Sequence, residues 1–120
     1  MVDYKSLSLV PVVANAAIAV SEDITNFITK ARASGIIQRS QLELLKAQTE
    51  KVLTEARSSH ICDVISTNLE QIAKTQELID KLEKQGRLHG ISLKMAMDQL
   101  YDLNDMLRHN LRKLKFREWR

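Results

Sequence analysis

Glycine, proline and aromatic residues are scarce in this chain of 120 residues, which holds 3 Gly, 1 Pro and 4% aromatic residues. Glycine and proline interrupt regular structure and supply most tight turns. A sandwich or a barrel with many hairpins needs more turns than these residues provide, which argues against an all-β fold. With few aromatic side chains, the core has to consist of Leu, Ile, Val, Ala and Met, the composition of a helical bundle.

Cysteine is also scarce, because Cys62 is the only one. One cysteine excludes an intramolecular disulfide and the usual structural zinc site, and it fits a reducing compartment, so we expect a cytoplasmic protein. The sequence lacks a glycine-rich phosphate loop, a Gly-x-Ser-x-Gly elbow and the Glu-x-x-His pair of di-iron bundles. We therefore expect a protein that is not an enzyme and binds no cofactor and no metal.

The apolar run at 7–20 is too short for a membrane span, which needs roughly 20 residues. Lys5 before the run and small residues such as Ala14 and Ala19 within it resemble a secretory signal and its cleavage site. The run also shares its helical period with the residues that follow, which favours the first helix of a folded domain. Both interpretations stay open at this point.

Apolar residues at alternating spacings of four and three predict a first helix over 11–34, the seam of a bundle or coiled coil. Gly35 is the natural stop of this helix. The residues before it alternate loosely, so we expect 1–10 to form an extended arm that ends at Pro11, since proline is tolerated in a first helical turn. The predicted seam, which we also expect to bind a partner, comprises Val13, Ala17, Val20, Ile24 and Phe27.

The second helix is predicted over 40–58, where Ser40 and Glu43 have the spacing of a capping box. After Ala56 the apolar stripe changes phase, so we favour a break near 57–60 and a third helix over 60–85. One long central helix, with three helices in total, is the alternative. Thr49 and Gln76 interrupt the seams with polar side chains, as Asn110 does in the last helix, either as buried register-setting residues or at bundle ends.

The last helix is predicted over 92–115, with Ser92 as its cap and 116–120 as a basic tail. Its predicted seam consists of Leu93, Ala96, Leu100, Leu103, Leu107, Asn110 and Leu114. Four helices with short connections predict an all-α, antiparallel up-and-down bundle formed by one domain over 1–120.

Two clusters of polar residues have metal or nucleophile chemistry as a candidate role. The spacing places four potential metal ligands on one face of the last helix: Asp98, Asp102, Asp105 and His109. We favour the interpretation that this face is solvated and makes ordinary helix-surface pairs. His60, Cys62 and Asp63 resemble a nucleophile with its base. Residues two apart on a helix do not face each other, however, and a free cysteine beside an apolar stripe behaves as a small hydrophobe.

Positive charge is concentrated at the C-terminal end. Residues 108–120 contain six basic residues against Glu118 alone, a net charge of +5, whereas the rest of the chain carries −2. This segment is our candidate anion-binding site, where cations attract phosphates and an indole stacks on bases. Its candidate residues are Arg108, Arg112, Lys113, Lys115, Arg117, Trp119 and Arg120.

Regular apolar seams in so short a chain indicate helices whose apolar faces pack against other helices, within one chain or between chains. We therefore expect a non-enzymatic helical interaction protein that binds a protein partner or self-associates as a homodimer or larger assembly. The alternative is a nucleic-acid-associated or regulatory protein that uses the basic segment 108–120.

Overall fold

The computed structural model describes the backbone of residues 4–59 and 63–118, and the side chains of residues 12–59 and 63–113. These residues form four helices, α1 (Tyr4–Ser34), α2 (Arg39–Ser59), α3 (Asp63–Lys84) and α4 (Ile91–Glu118). The predicted all-α fold is confirmed. The predicted break is confirmed too, because α2 ends at Ser59 and α3 begins at Asp63.

Each helix packs against its two neighbours in the order α1, α2, α3, α4, and α4 closes the ring by packing on α1. Short connections reverse the chain direction between successive helices, which gives the antiparallel up-and-down arrangement. The molecule measures 53 × 21 × 18 Å, so its long axis follows the helices. None of the described helices combines the length and apolar character required to cross a membrane.

One continuous core fills the space between the four helices. Its largest fully buried apolar side chains come from every helix: Ile24, Phe27, Ile28, Leu42, Ile65, Leu69, Ile72, Ile79, Met97, Leu100 and Leu107. In α4 the buried stripe includes Met97, Asn104 and Leu111, whereas Ala96, Leu103 and Asn110 of the predicted seam are only partly buried. Leu93, Leu100 and Leu107 of the predicted seam are buried as expected, so only every second position of the seam moves by one residue.

Two predicted helix ends are corrected by the structure. Residues 4–10 belong to α1 instead of an extended arm, and 116–118 continue α4 instead of forming a tail. The φ angle of proline fits a helix, so a helix runs through Pro11 with the loss of one hydrogen bond. The spacing of Leu7, Val10 and Ala14 suits a helix as well as it suits an arm.

Ser40 does not have the capping role that the sequence predicts. Helix α2 begins one residue earlier, and its first turn closes with a bond from the Leu42 amide to the Gln38 carbonyl, 3.1 Å. Glu43, the predicted capping partner, instead accepts a hydrogen bond from the Arg39 guanidinium at 3.1 Å. The Ser40 side chain lies exposed on the first turn of α2.

The loop between α3 and α4 is fixed by Gly86 and Ser92. Gly86 has φ of 66°, and the Arg87 amide bonds to the Leu82 carbonyl at 2.9 Å, the Schellman arrangement that glycine permits. The Ser92 hydroxyl lies 2.6 Å from the Arg87 carbonyl and accepts the His89 amide at 3.0 Å. Ser92 thus fastens the loop to the start of α4, instead of capping the helix amides as predicted.

These two serines make a matched pair for a stability test. We expect Ser92→Ala to lower the free energy of unfolding by roughly 0.5–2 kcal/mol, because it leaves the loop amide and carbonyl without their partner. Ser40→Ala should change it by less than about 0.5 kcal/mol, as is usual for an exposed position. Urea denaturation of both variants measures the difference, and an equal loss in the two would contradict this account of the helix starts.

Candidate functional site

The predicted partner-binding seam lies inside the bundle. Each side chain of this seam is at most 3% exposed and packs within a single chain: Val13, Ala17, Val20, Ile24 and Phe27. In the folded bundle these side chains face the other helices of the same chain, and their binding of a partner stays a prediction. A surface for a partner has to be sought among exposed residues.

The predicted anion-binding segment is described only in part. Arg108, Arg112 and Lys113 are exposed on α4, and the first two, one turn apart, line a small pocket with Ile18 and Glu22 of α1. The side chains of Lys115 and Arg117, and all of Trp119 and Arg120, lie outside the described residues. The described part of the candidate anion-binding site thus consists of three exposed cations on α4.

The acidic stripe on α4 takes part in ordinary surface pairs. The Arg32 guanidinium of α1 lies 2.8 Å from an Asp98 oxygen, and its carbon is 5.3 Å from the centre of the Tyr101 ring. No group of three potential metal ligands comes together in the part of the chain that the structure describes. Of the cysteine cluster, Asp63 begins α3, and His60 and Cys62 lie outside the described residues.

Polar side chains within the bundle are paired across helices. The Gln76 amide donates a hydrogen bond of 2.9 Å to the Thr49 hydroxyl, which itself donates to the Leu45 carbonyl. Both side chains are buried, so these two interruptions of the seam are core residues and not bundle ends. Asn110, the third interruption, donates a bond of 2.6 Å to the buried Asn68, which fixes α4 against α3.

A further buried pair, which the sequence analysis missed, joins α1 to α4. The Ser21 hydroxyl donates to Asn104 at 2.8 Å, and the Asn104 amide donates to Thr25 at 3.1 Å. A single asparagine among leucines was the available signal, but the predicted phase of α4 placed Asn104 off the seam. These pairs satisfy one another, so they stabilise the alignment of helices and offer no group for chemistry.

Asp80 on α3 is the centre of a charged network between α2 and α3. Its carboxylate is 6% exposed and accepts a hydrogen bond of 2.9 Å from the Lys46 ammonium. The other carboxylate oxygen lies 2.9 Å from the Arg39 guanidinium, although the N–H directions there do not fit a hydrogen bond. Lys84 approaches to 3.3 Å, and Arg39 also binds Glu83 at 2.7 Å. Every charge in the network has an opposite neighbour.

The hydrogen bond from Lys46, together with the neighbouring Lys84 and Arg39, lowers the pKa of Asp80 to about 2, against the opposing effect of burial. A shifted carboxylate is a common mark of an active site. Here the partners are cations that hold Asp80 ionised, and no nucleophile lies among them. We interpret the network as a clamp between α2 and α3.

The groove between α3 and α4 differs from the other grooves of the bundle. Leu78 and Met95 line this groove and are 48% and 65% exposed. The helical spacing places two more apolar residues of α3 and α4, Val64 and Met106, on the same side of their helices, and each is 50% exposed. The groove itself, about 610 Å³ in volume, is lined by Thr75, Leu78, Ile79, Leu82, Ser92, Met95, Ala96, Asp98, Gln99, Asp102 and Leu103. Within the described residues no ion pair joins α3 to α4, whereas ion pairs join α2 to α3 and α1 to α4. We call this groove with its flanking residues the α3–α4 face.

Sequence reasoning missed this face because its exposed apolar residues lie beside the seams and not on them. Leu78 follows the buried Gln76 by two positions, and Met95 precedes the buried Met97 by two. The available signal was that the exposed positions of α3 and α4 nearest the groove, such as Gln71 and Gln99, carry no charge. The other candidate groove, between α1 and α2, is lined by polar and charged side chains, including Asp23 and Lys30.

Acid titration tests the clamp formed by Asp80. A carboxyl whose pKa falls from its ordinary value near 3.8 to about 2 on folding stabilises the fold above pH 4, and this stabilisation disappears as the pH drops from about 4 to about 2. Asp80→Asn should lower the free energy of unfolding at pH 7, because it removes the carboxylate that pairs with the neighbouring cations. We expect a loss of about 1–2 kcal/mol, since partial exposure of these cations limits the effect. The variant should also lose less stability than the wild type between pH 4 and pH 2.

Urea denaturation at pH 7, 4, 3 and 2 measures both effects. Asp105→Asn, at an exposed position of α4 outside the network, serves as the control and should follow the wild type. If Asp80→Asn and the wild type have parallel pH profiles, the network does not clamp α2 to α3 as described.

Comparison with known proteins leaves the function to be argued from these surfaces. The chain matches no protein-family model, no curated protein and no solved structure in the three comparisons made.

Proposed function

We propose that this chain is a non-enzymatic helical interaction protein that binds another protein surface through the α3–α4 face. The observation that carries the proposal is the combination of exposed apolar side chains with the absence, among the described residues, of an ion pair between α3 and α4. Leu78, Met95 and Met106 are each about half exposed or more, on the two sides of one groove. A closed core makes these side chains unnecessary for the stability of the bundle itself.

The chemistry of the face suits protein docking. Charged groups are depleted at the centres of protein interfaces, because removing their hydration is costly. Methionine is flexible and polarizable, so Met95 and Met106 adapt to the shape of a partner. The neutral and exposed Gln99 beside Met95 offers hydrogen bonds without adding charge. An amphipathic helical surface with a similar apolar stripe is the partner that such a groove accepts.

The bundle is suited to present this face without rearrangement. Asn68 and Asn110 hold α3 and α4 in register at one end, and the Ser92 contacts hold the connecting loop at the other. A face that is already ordered loses little conformational freedom on binding. The lone cysteine fits our expectation that this binding takes place in the cytoplasm.

A second candidate function rests on the exposed cations of α4. Arg108, Arg112 and Lys113 are exposed, and the sequence adds further basic residues beyond them. A nucleic-acid-associated or regulatory protein would use this segment to bind phosphates. Salt separates the two functions, because binding to phosphates weakens steeply as salt is added and apolar docking does not.

Photocrosslinking tests whether the α3–α4 face is occupied. A photoreactive phenylalanine derivative in place of Leu78 should form a protein adduct in the cells that make this chain, because the side chain lies inside the contact. The same replacement at Leu44, which is 60% exposed on α2, provides the matched control and should form none. Met95→Glu, across the groove, should abolish the adduct at position 78.

Adducts are detected by gel shift, and their masses are measured by mass spectrometry. Equal crosslinking at positions 78 and 44, or no adduct at either, would contradict docking through this face.

A further inference from the structure

We infer that the surface covering the α3–α4 face is the same face of a second copy of this chain, related by a two-fold axis parallel to the helices. This inference rests on the proposed docking function and names its partner.

The edges of the face carry opposite charges. On α3 the outer edge has Lys74 and Lys81, both exposed and seven residues apart, on the solvent side of Leu78, and Lys74 lies 3.8 Å from Glu70 of the same helix. On α4 the outer edge has Asp98, which also binds Arg32 of α1 at 2.8 Å, and Asp102, both bordering the groove. The uncharged face thus lies between one basic edge and one acidic edge.

The register of the two helices fixes the height of each charge. Asn110 bonds to Asn68, and the helices run antiparallel, so each step up α3 corresponds to a step down α4. Lys74 therefore lies at the height of Asn104, close to Asp102. Lys81 lies at the height of Met97, next to Asp98.

A two-fold axis that lies in the contact plane and runs parallel to the helices places α3 of one copy on α4 of the other without changing heights. Lys74 then meets Asp102 of the second copy, and Lys81 meets Asp98 of the second copy. Each contact occurs twice by symmetry. An axis perpendicular to the helices would instead place α3 on α3 and bring the two basic edges together, which costs free energy.

The other grooves do not suit contact with their own copy. In the groove between α2 and α3, Lys46 and Arg39 already bind Asp80, and covering these exposed ion pairs would remove their hydration. Between α1 and α4, Arg32 binds Asp98 on the surface. The α3–α4 face alone, among the described grooves, combines an uncharged centre with several exposed apolar side chains.

The face is large enough for a specific dimer. The 22 residues of α3 extend about 33 Å, and two adjacent helices are about 20 Å wide, which gives a face of roughly 650 Å² on each copy. A standard interface buries about 800 Å² on each partner. The face therefore corresponds to a modest but specific interface, which forms at micromolar and higher concentrations.

Analytical ultracentrifugation of the full chain tests this inference. The wild type of 13.7 kDa should form a reversible dimer. Lys74→Glu and Asp102→Lys should each weaken dimerisation about three- to tenfold, because two symmetric attractions become repulsions. The double variant K74E/D102K should regain wild-type dimerisation, since the exchanged charges meet again across the axis.

Leu78→Glu should weaken the dimer at least tenfold, while Leu44→Glu, exposed on α2, should leave it unchanged. Circular dichroism of every variant should match the wild type, because all these positions are exposed. Loss of dimer in the double variant as in the single ones would overturn the assigned axis, and a wild type that stays monomeric at high concentration would overturn self-docking altogether.

The two proposals fail in distinguishable ways. A monomeric chain that still crosslinks specifically at position 78, in an adduct of mass other than twice the chain, overturns self-docking but leaves the docking face in place. Absence of any adduct at position 78 overturns both.

Discussion

The bundle depends on the burial of four apolar stripes in one core. Each helix has a stripe of apolar side chains whose exposure to water is unfavourable. A ring of four antiparallel helices buries all four stripes within a single chain. Ile24 and Phe27 of α1 are buried in the same core as Leu100 of α4. Because the core closes in this way, any docking surface has to come from side chains that the core does not use.

Charge then distinguishes the surfaces that remain. The side of α3 that faces α2 carries Asp80 and its cationic partners, which clamp these two helices together. The side of α3 that faces α4 carries none of these charges, and among the described residues the hydrogen bond between Asn68 and Asn110 joins it to α4. One helix thus has a charged side that stabilises the fold and a second side where we propose that a partner docks.

The fold was predictable because alternating spacings of three and four specify both a helix and its buried side. The break before Asp63 was predictable for the same reason, since a stripe cannot change phase within one straight helix. The extended arm was wrong for residues 4–10, because so short a stretch does not separate a loose alternation from a helix, and residues 1–3 lie outside the described part of the chain. The α3–α4 face was not predicted, because Leu78 and Met95 are single apolar residues beside the regular seams, and a single residue gives no periodic signal. Only the packing shows that these two side chains lie across one groove.

The methionine methyl groups provide the most direct measurement of whether the α3–α4 face is a docking surface. Met95 and Met106 are 65% and 50% exposed on this face, whereas Met97 is fully buried and serves as an internal reference. In spectra of the methyl-labelled chain recorded at increasing protein concentration, the account predicts that the Met95 and Met106 signals shift or broaden together while Met97 stays in place. Signals from Met95 and Met106 that remain sharp and unmoved over the whole concentration range would contradict it.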